Sequence, residues 1–239
     1  MEYLMKISYD GSKFYGFQRL NDLRTVQKEL EQALTKINKK EVLIKGAGRT
    51  DRGVHALNQG ISFDLDIEIK PERLKKAINS LIKPDIYCRE CVQVDSEFHA
   101  RFSVKKKIYR YKINVGEFDP LKSDYYYQPE FKLNLEKMQE VANLFLGIHD
   151  FKNFVSGERE NTQCIIYKID FEKNKDNLEI VFEGKSFYRY MVRNLVGAMI
   201  EVGRGKIDII DVKKVLDLQI NKTLFTAPAN GLYLEKVIY

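Results

Sequence analysis

The order of predicted secondary-structure elements is the feature of this sequence that most constrains its fold. Apolar patterns over residues 3–94 predict the order β-α-β-β-α-β, and that order recurs over residues 107–238 without sequence identity between the halves. It is typical of the split-βαβ, or ferredoxin-like, unit, in which helices cover an antiparallel sheet. We therefore expect an α/β (α+β) protein of two such units side by side, with a cleft between them. The expected domains are residues 1–103 and 104–239.

Individual elements have recognisable boundaries in the sequence. Thr25 is a good N-cap for the first helix, Pro71 opens the second, and Asn134 caps the third. A long helix carries Val192 and Met199 on its apolar face, and a shorter helix follows at residues 209–216. The predicted strands are residues 3–9, 42–44, 60–65, 86–94, 107–115, 165–171, 178–182 and 232–238, with a polar turn at 173–177.

The composition favours a soluble protein with a modest basic excess. The 239 residues include 40 Lys and Arg against 34 Asp and Glu, for a formal net charge of +6. No apolar stretch approaches the roughly 20 residues that a membrane span needs, and the N-terminus lacks the apolar region of a signal peptide. We therefore expect a cytoplasmic protein without a membrane partner.

The three cysteines do not form a disulfide framework. Cys88 and Cys91 form a C-x-x-C pair, but they lie within a predicted strand, where positions three apart point to opposite faces. Such a pair is poorly placed to share a metal, and Cys164 is distant in the chain. We expect reduced, partly buried thiols and no metal site.

The segment GAGRTDRGVHA, residues 46–56, is the strongest candidate for chemistry. Asp51 lies between Arg49 and Arg52 in a glycine-rich loop flanked by predicted strands. Nearby cations keep a carboxylate charged, so Asp51 is suited to act as a nucleophile or general base and is a poor proton donor. The alternative is a loop aspartate that makes local turn hydrogen bonds. The two flanking arginines favour a catalytic role.

Two basic segments accompany this loop. Residues 101–112 contain no acid, and aromatic residues alternate with their six cations, Arg101, Lys105, Lys106, Lys107, Arg110 and Lys112. Cations bind phosphates and aromatic rings stack on unpaired bases, so this pattern favours nucleic acid over a solvated strand edge. In the second segment, residues 184–194, Arg189 and Arg193 lie four apart at the start of the predicted long helix and would share a face. On its own this segment is typical of an ordinary amphipathic helix with a polar side. It gains meaning beside Asp51, because a chain-distant arginine is the usual orienting partner of a buried carboxylate.

The loop of residues 10–18 and two histidines give weaker signals. The loop mixes turn residues with aromatics, so it could touch a ligand or only cover the core. His55 and His99 lack metal-ligand or triad spacing, and a structural role is favoured for both.

Five sequence blocks together identify a resemblance. The blocks are YDGSKFYGFQ, GAGRTDRGVHA, FHARFSVKKKIYRY, YRYMVRNLVGAMIEVGRGK and TAPANGLYLEKV, in that order along the chain. The chain resembles the tRNA pseudouridine synthase A family along nearly its whole length. The resemblance implies a homodimer that holds tRNA, acts on uridines at positions 38 to 40, and needs neither cofactor nor metal.

The resemblance also implies residue roles. Asp51 matches the catalytic nucleophile, and Arg193 matches the arginine that forms an ion pair with it. Tyr109 matches the tyrosine that stacks on the target uracil, with a part in proton transfer, and Arg49 matches the arginine that fills the space left by the flipped nucleotide. The candidate substrate-binding residues are Tyr109, Arg49, Arg52, Arg101, Lys105, Lys106, Lys107, Arg110 and Arg189.

Two departures from the family pattern bear on substrate choice. Position 52 is Arg where many members carry a small residue, which adds a cation beside Asp51. The segment of residues 154–166 is short, and Gln163-Cys164-Ile165 stands where an Arg-Thr-Ile-like strand start is expected.

The implied chemistry agrees with the residues. Pseudouridine formation breaks a C–N glycosidic bond, turns the uracil and makes a C–C bond, so the base must leave the stack. Asp51 could attack the ribose C1′, add to C6 of the base or remove a sugar proton, and the sequence leaves these open.

Two other functions are alternatives to this chemistry. A non-catalytic RNA-binding module would explain the aromatics and cations, but it would not explain a carboxylate between arginines. A glycosidase-like hydrolase needs two facing carboxylates, and only Asp51 has a convincing setting.

Overall fold

The computed structural model describes residues 1–221 and 224–239 and has a mixed α/β architecture. Its strands are β1 (Glu2–Tyr9), β2 (Lys45–Gly46), β3 (His55–Asp64), β4 (Ile86–Gln93), β5 (Lys106–Asn114), β6 (Gly147–Asp150), β7 (Gln163–Asn174), β8 (Asn177–Gly184) and β9 (Leu232–Ile238). Its α-helices are α1 (Val26–Asn38), α2 (Pro71–Ile82), α3 (Leu135–Leu144), α4 (Met191–Gly203) and α5 (Ile209–Leu216). Within the described ranges, no helix is long and apolar enough to cross a membrane.

The chain divides into two compact units. The first contains residues 1–105 and 233–239, and the second contains residues 106–232. The mixed α/β class is confirmed. The structure groups residues 233–239 with the first unit, whereas the sequence analysis assigns them to the second domain. The two ferredoxin-like domains with boundaries at 1–103 and 104–239 stay a prediction.

The first unit contains a sheet in the order β4-β1-β3-β9, and β2 pairs with β3 at Ile61 and Ser62, near the C-terminal end of β3. All pairs are antiparallel except β3 with β9, which pair in parallel through His55–Tyr233 and Ala56–Leu234. Helix α1 begins as predicted, because the Thr25 hydroxyl accepts the Lys28 N–H at 3.4 Å. Helix α2 packs against β4 and α1.

The segment before β2 corrects one prediction. Residues 42–44 are not a strand; only Lys45–Gly46 pair with β3. The Val42 N–H donates to the Thr35 hydroxyl at 3.0 Å, and the Ile44 N–H donates to the Glu31 carboxylate at 3.1 Å. Side chains of α1 therefore take the hydrogen bonds that a neighbouring strand would have made. The apolar pattern reflects the burial of Val42 and Ile44 and not sheet pairing, and Leu43 is exposed.

A β-bulge in β4 corrects the argument about the cysteines. Opposite β1, Lys6 pairs with Glu90 but Ile7 pairs with Cys88, so one residue of β4 is skipped. Because Met5 pairs with Cys91, both thiols point to the same face as Met5 and Ile7. Burial raises the pKa of each of these two thiols to about 12, so both stay protonated. In the described part of the chain, no group of three or more His, Cys, Asp or Glu could hold a metal.

The second unit is an antiparallel sheet in the order β5-β8-β7-β6. Helices α3 and α4 pack together, and α5 packs against α3. The predicted apolar face of α4 is confirmed, since Val192, Leu195 and Met199 are buried. The sequence missed β6, a four-residue strand, and predicted too wide a turn between β7 and β8, whose strands continue to Asn174 and from Asn177.

Candidate active site

Asp51 lies in the loop of residues 47–54 that connects β2 to β3 in the first unit. Its carbonyl accepts the Val54 N–H at 3.1 Å, and Gly53 adopts a positive φ of 80° that closes this tight turn. Asp51 is half-buried, whereas Arg49 and Arg52 are exposed. The loop therefore carries a half-buried aspartate with an exposed arginine on either side of it along the chain.

Thr50, the residue before Asp51, is fixed by the last residue of β1 and by the loop of residues 10–18 that follows it. Its hydroxyl hydrogen-bonds the Tyr9 hydroxyl at 2.8 Å, and its carbonyl accepts the Phe17 N–H at 3.1 Å. Burial raises the pKa of Tyr9, so its phenol stays neutral. The sequence left open whether this loop covers the core or touches a ligand; the structure shows that it supports the backbone next to Asp51.

Two glycines allow this close approach. A Cβ added to Gly11 would lie 2.1 Å from the Val54 carbonyl oxygen, and one added to Gly16 would lie 3.0 Å from the Thr50 carbonyl oxygen. Gly16 also has a positive φ of 95°. The loop of residues 10–18 and the loop of residues 47–54 therefore pack directly against each other. The sequence pattern did not predict this contact.

His55 has a structural setting directly after this loop. It is buried, its Nδ1 accepts the Gly11 N–H at 3.0 Å, and its ring stacks on Tyr233 at 4.6 Å. The imidazole thus links the loop of residues 10–18, β3 and β9 within the first unit.

Exposed cations and rings lie elsewhere in the first unit. The Arg52 guanidinium lies over the Tyr15 ring, 4.3 Å from its centroid. Arg101 lies over Phe102 at 5.6 Å, and the Phe102 side chain is 74% exposed. Lys105 is also exposed. These groups suit contacts with phosphates and unpaired bases.

In the second unit, β5 separates the basic run into two faces. Tyr109 and Lys107 are buried on one face, and the Tyr109 ring meets Phe187 edge to face at 5.2 Å. On the other face, Lys106 forms an ion pair with Glu183 at 2.7 Å, and Arg110 forms one with Glu172 at 2.6 Å and another with Glu179. The basic run itself contains no acidic residue, but β7 and β8 supply these three glutamates. A phosphate would therefore have to compete with the glutamates for Lys106 and Arg110.

Arg193 is held at the start of α4. Its Nε donates to the Ala227 carbonyl at 2.7 Å, and its own carbonyl accepts the Ala227 N–H at 3.1 Å. Tyr190 has a left-handed φ of 63°, so α4 begins only at Met191 and Arg189 lies before the helix. The prediction that both arginines share a helical face is therefore wrong. Both guanidiniums nevertheless lie over the Tyr190 ring, at 5.0 and 4.8 Å.

The predicted residues thus form two sets, one in each unit. The first unit presents Asp51 on a braced loop beside Arg49 and Arg52. The second presents a buried tyrosine with an aromatic neighbour, Tyr109, and a fixed guanidinium, Arg193. An anion, a stacking ring and phosphate-binding cations are the groups that chemistry on an unpaired base requires.

Comparison with known proteins agrees with this chemistry. A family model described as tRNA pseudouridine synthase matches residues 5–103 and 141–239. The tRNA pseudouridine synthase A of Pseudothermotoga lettingae is 44% identical over 236 residues, which cover 97% of this chain and 96% of that protein. The proteins of the same name from Thermosipho melanesiensis and Staphylococcus carnosus are 39% and 41% identical, each over 99% of this chain and over 99% and 90% of their own lengths.

The extent of these matches shows that the chain belongs to the tRNA pseudouridine synthase family. It is an isomerase that acts on uridine in tRNA. The resemblance drawn from the five sequence blocks is confirmed.

Proposed function

We propose that this protein converts uridine to pseudouridine at positions 38, 39 and 40, in the anticodon stem-loop of tRNA, with Asp51 as the nucleophile. The observation that carries the proposal is the setting of Asp51. Buried hydrogen bonds through Thr50 hold the adjacent backbone, and two exposed arginines flank the carboxylate. A pre-organised anion of this kind needs no reorganisation when the substrate arrives.

The reaction is an isomerisation, and its atoms balance without a co-substrate. The C1′–N1 bond breaks, a C1′–C5 bond forms, the proton on C5 is lost and N1 gains one. Asp51 attacks C1′ or C6, or removes a sugar proton, and in each case it acts as an anion. No electrons are gained or lost, so the proposed reaction requires no redox cofactor, and the family resemblance implies that it uses neither a cofactor nor a metal.

The other roles follow from the family resemblance and the local geometry. Arg193 orients Asp51 through an ion pair, as a guanidinium does for a carboxylate. Tyr109 stacks on the uracil and takes part in proton transfer, and Arg49 occupies the space vacated by the flipped nucleotide. Phosphate contacts come from the remaining candidates, Arg52, Arg101, Lys105, Lys106, Lys107, Arg110 and Arg189.

The assembly and location are proposed on the same basis. We expect a homodimer whose subunits jointly hold one tRNA, in the cytoplasm, where tRNA is present. Measurement of mass in solution with and without tRNA tests the dimer; a monomer in both states would contradict it.

Replacement of Asp51 by Asn tests the proposed function directly. Asparagine keeps the shape but is not an anion, so turnover should disappear while tRNA affinity stays within about tenfold, because most affinity comes from phosphate contacts. Pseudouridine is measured on a tRNA transcript and mapped to its position.

Asp22→Asn provides the matched control, because Asp22 is an exposed aspartate in another loop of the first unit. It should retain full turnover. Residual activity of Asp51→Asn above about a tenth of the wild-type rate would refute the nucleophile assignment, since loss of a covalent step costs far more. Unchanged RNA with the wild-type protein would indicate a binding module, and free uracil with an abasic site would indicate a hydrolase.

A further inference from the structure

A cavity of about 900 Å³ lies in the second unit, outside the residues assigned above. It is bounded by the segment of residues 152–162, by Tyr190 and Asn194 at the start of α4, and by Thr226. Its volume falls within the roughly 300–1,000 Å³ of pockets that bind small molecules or single nucleotides.

The walls of the cavity are fixed by hydrogen bonds. Asn194, at the start of α4, joins the other two sides of the cavity. Its Nδ2 donates to the Phe154 carbonyl at 2.9 Å, and its Oδ1 accepts the Thr226 hydroxyl at 2.7 Å. The Ser156 N–H donates to the Arg189 carbonyl at 3.1 Å, which also ties the segment of residues 152–162 to the residues before α4. The cavity is therefore preformed, so binding does not require free energy to order its walls.

The lining combines the three groups that an unpaired nucleotide uses. Lys152 and Arg159 are cations for a phosphate, and the Arg159 guanidinium is placed over the Tyr188 ring at 5.3 Å. Tyr190 supplies an aromatic ring that also contacts the Arg189 and Arg193 guanidiniums, and Glu158 and Glu160 supply carboxylates that could accept hydrogen bonds from base amino groups. Because the two carboxylates offset the charge of the two cations, this lining suits the single phosphate of one nucleotide better than a highly charged polyphosphate.

We propose that this cavity binds one unpaired nucleotide of the tRNA that neighbours the target uridine, and that it helps to determine which uridine is modified. This inference rests on the proposed function. Tyr190 lines the cavity, and its ring centroid lies 4.8 Å from the guanidinium of Arg193, the proposed partner of Asp51, so a nucleotide in the cavity would lie close to Arg193. The segment of residues 154–166, which departs from the family pattern, forms one wall of the cavity.

A double-mutant cycle between protein and RNA tests the proposal. The RNA is an anticodon stem-loop in which each loop nucleotide in turn is replaced by an abasic unit, and the protein is compared with Arg159→Ala. Binding is measured in the Asp51→Asn background so that no reaction intervenes. At one position, the abasic unit and Arg159→Ala should each weaken binding about tenfold, and together they should weaken it little more than either alone.

Matched variants exclude a general effect of charge or folding. Lys173→Ala removes an exposed cation at the far end of β7 from the cavity and should leave binding within about twofold. Arg159 and Lys152 are exposed, so their replacement should leave thermal stability unchanged, and Lys152→Ala repeats the cycle independently.

The outcomes separate this proposal from the proposed function. If the losses multiply at every RNA position, or if Arg159→Ala and Lys152→Ala have no effect on binding, the cavity does not hold a nucleotide. That result would stand even if the wild-type protein forms pseudouridine at full rate. If the wild-type protein forms no pseudouridine on any tRNA, the proposed function fails whatever the cycle shows.

Discussion

At the scale of single residues, Tyr109 combines a buried position in β5 with an edge-to-face contact to Phe187. Its ring suits stacking, and its hydroxyl suits proton transfer, because a proton must leave C5 of the reattached base. We expect Tyr109→Phe to lower turnover by roughly 10²–10⁴-fold, as is typical of general acid–base groups, with tRNA binding intact. Single-turnover kinetics on tRNA measure the effect.

Tyr109→Leu separates the two roles of the ring. It removes the aromatic surface as well as the hydroxyl, so it should also lose the roughly 1–3 kcal/mol of base stacking. If Phe is silent and Leu is costly, stacking is the whole role of Tyr109. Full activity of Tyr109→Leu would exclude Tyr109 from the active site.

Tyr9 offers a second prediction, because its hydroxyl reaches Thr50 beside Asp51. Tyr9→Phe should cost about 1 kcal/mol of folding free energy, as for a typical buried hydrogen bond. It should also lower kcat, since the backbone next to Asp51 loses one of its two fixed contacts, while tRNA affinity is unchanged. Chemical denaturation and single-turnover kinetics provide the two measurements.

Tyr3→Phe is the matched control for this prediction. Tyr3 is another buried tyrosine of β1, and its hydroxyl donates to the Ile69 carbonyl at 2.8 Å, away from the Asp51 loop. It should lose comparable stability and keep its kcat. Equal effects of both variants on kcat would show that Tyr9 acts only through stability.

At the scale of elements, the alternation of β5 places Lys106 and Arg110 on one face of the strand and Lys107 on the other. The simultaneous change of Lys105, Lys106 and Lys107 to Ala should weaken tRNA binding and flatten its salt dependence. Each lost phosphate contact lowers the slope of log K against log salt by about 0.7 to 0.9. Because Lys106 already pairs with Glu183, we expect Lys106→Ala alone to change the slope less than Lys105→Ala.

The salt titration of these variants also tests the alternative for this run. A slope that stays at the wild-type value in the triple variant would indicate a solvated strand edge. Equal slopes for the two single variants would show that the Glu183 ion pair does not compete with tRNA.

The elements also show where prediction from the sequence succeeds and where it stops. Strands such as β1 and helices such as α1 were predicted because their apolar period and caps are local. The strand predicted at residues 42–44 was wrong, because the Val42 and Ile44 N–H groups bond to side chains of α1 that the local pattern does not indicate. The Asp51 motif could be recognised in the sequence. The ion pairs of Arg110 could not be predicted, because its glutamate partners are more than 60 residues away along the chain. The cavity likewise joins segments that are distant in sequence.

At the scale of the whole molecule, residues 233–239 complete the first unit. They pair with β3, stack Tyr233 on His55, and bring Tyr239 within 5.0 Å of Phe98. A chain that ends at Leu232 should therefore lose hydrogen-exchange protection in β3 and in the Asp51 loop, while β6 to β8 keep theirs. Mass spectrometry of deuterium uptake measures this. Unchanged protection of β3 would show that the first unit is stable without β9.

The membership of residues 233–239 in the first unit has a consequence for biosynthesis. A ribosome makes the first unit first, but that unit lacks one strand of its sheet until residue 239 has left the exit tunnel. The second unit is a single uninterrupted stretch, residues 106–232, so all of its strands are present earlier. The second unit can therefore finish folding before the first unit, which carries Asp51, even though most of the first unit is translated earlier.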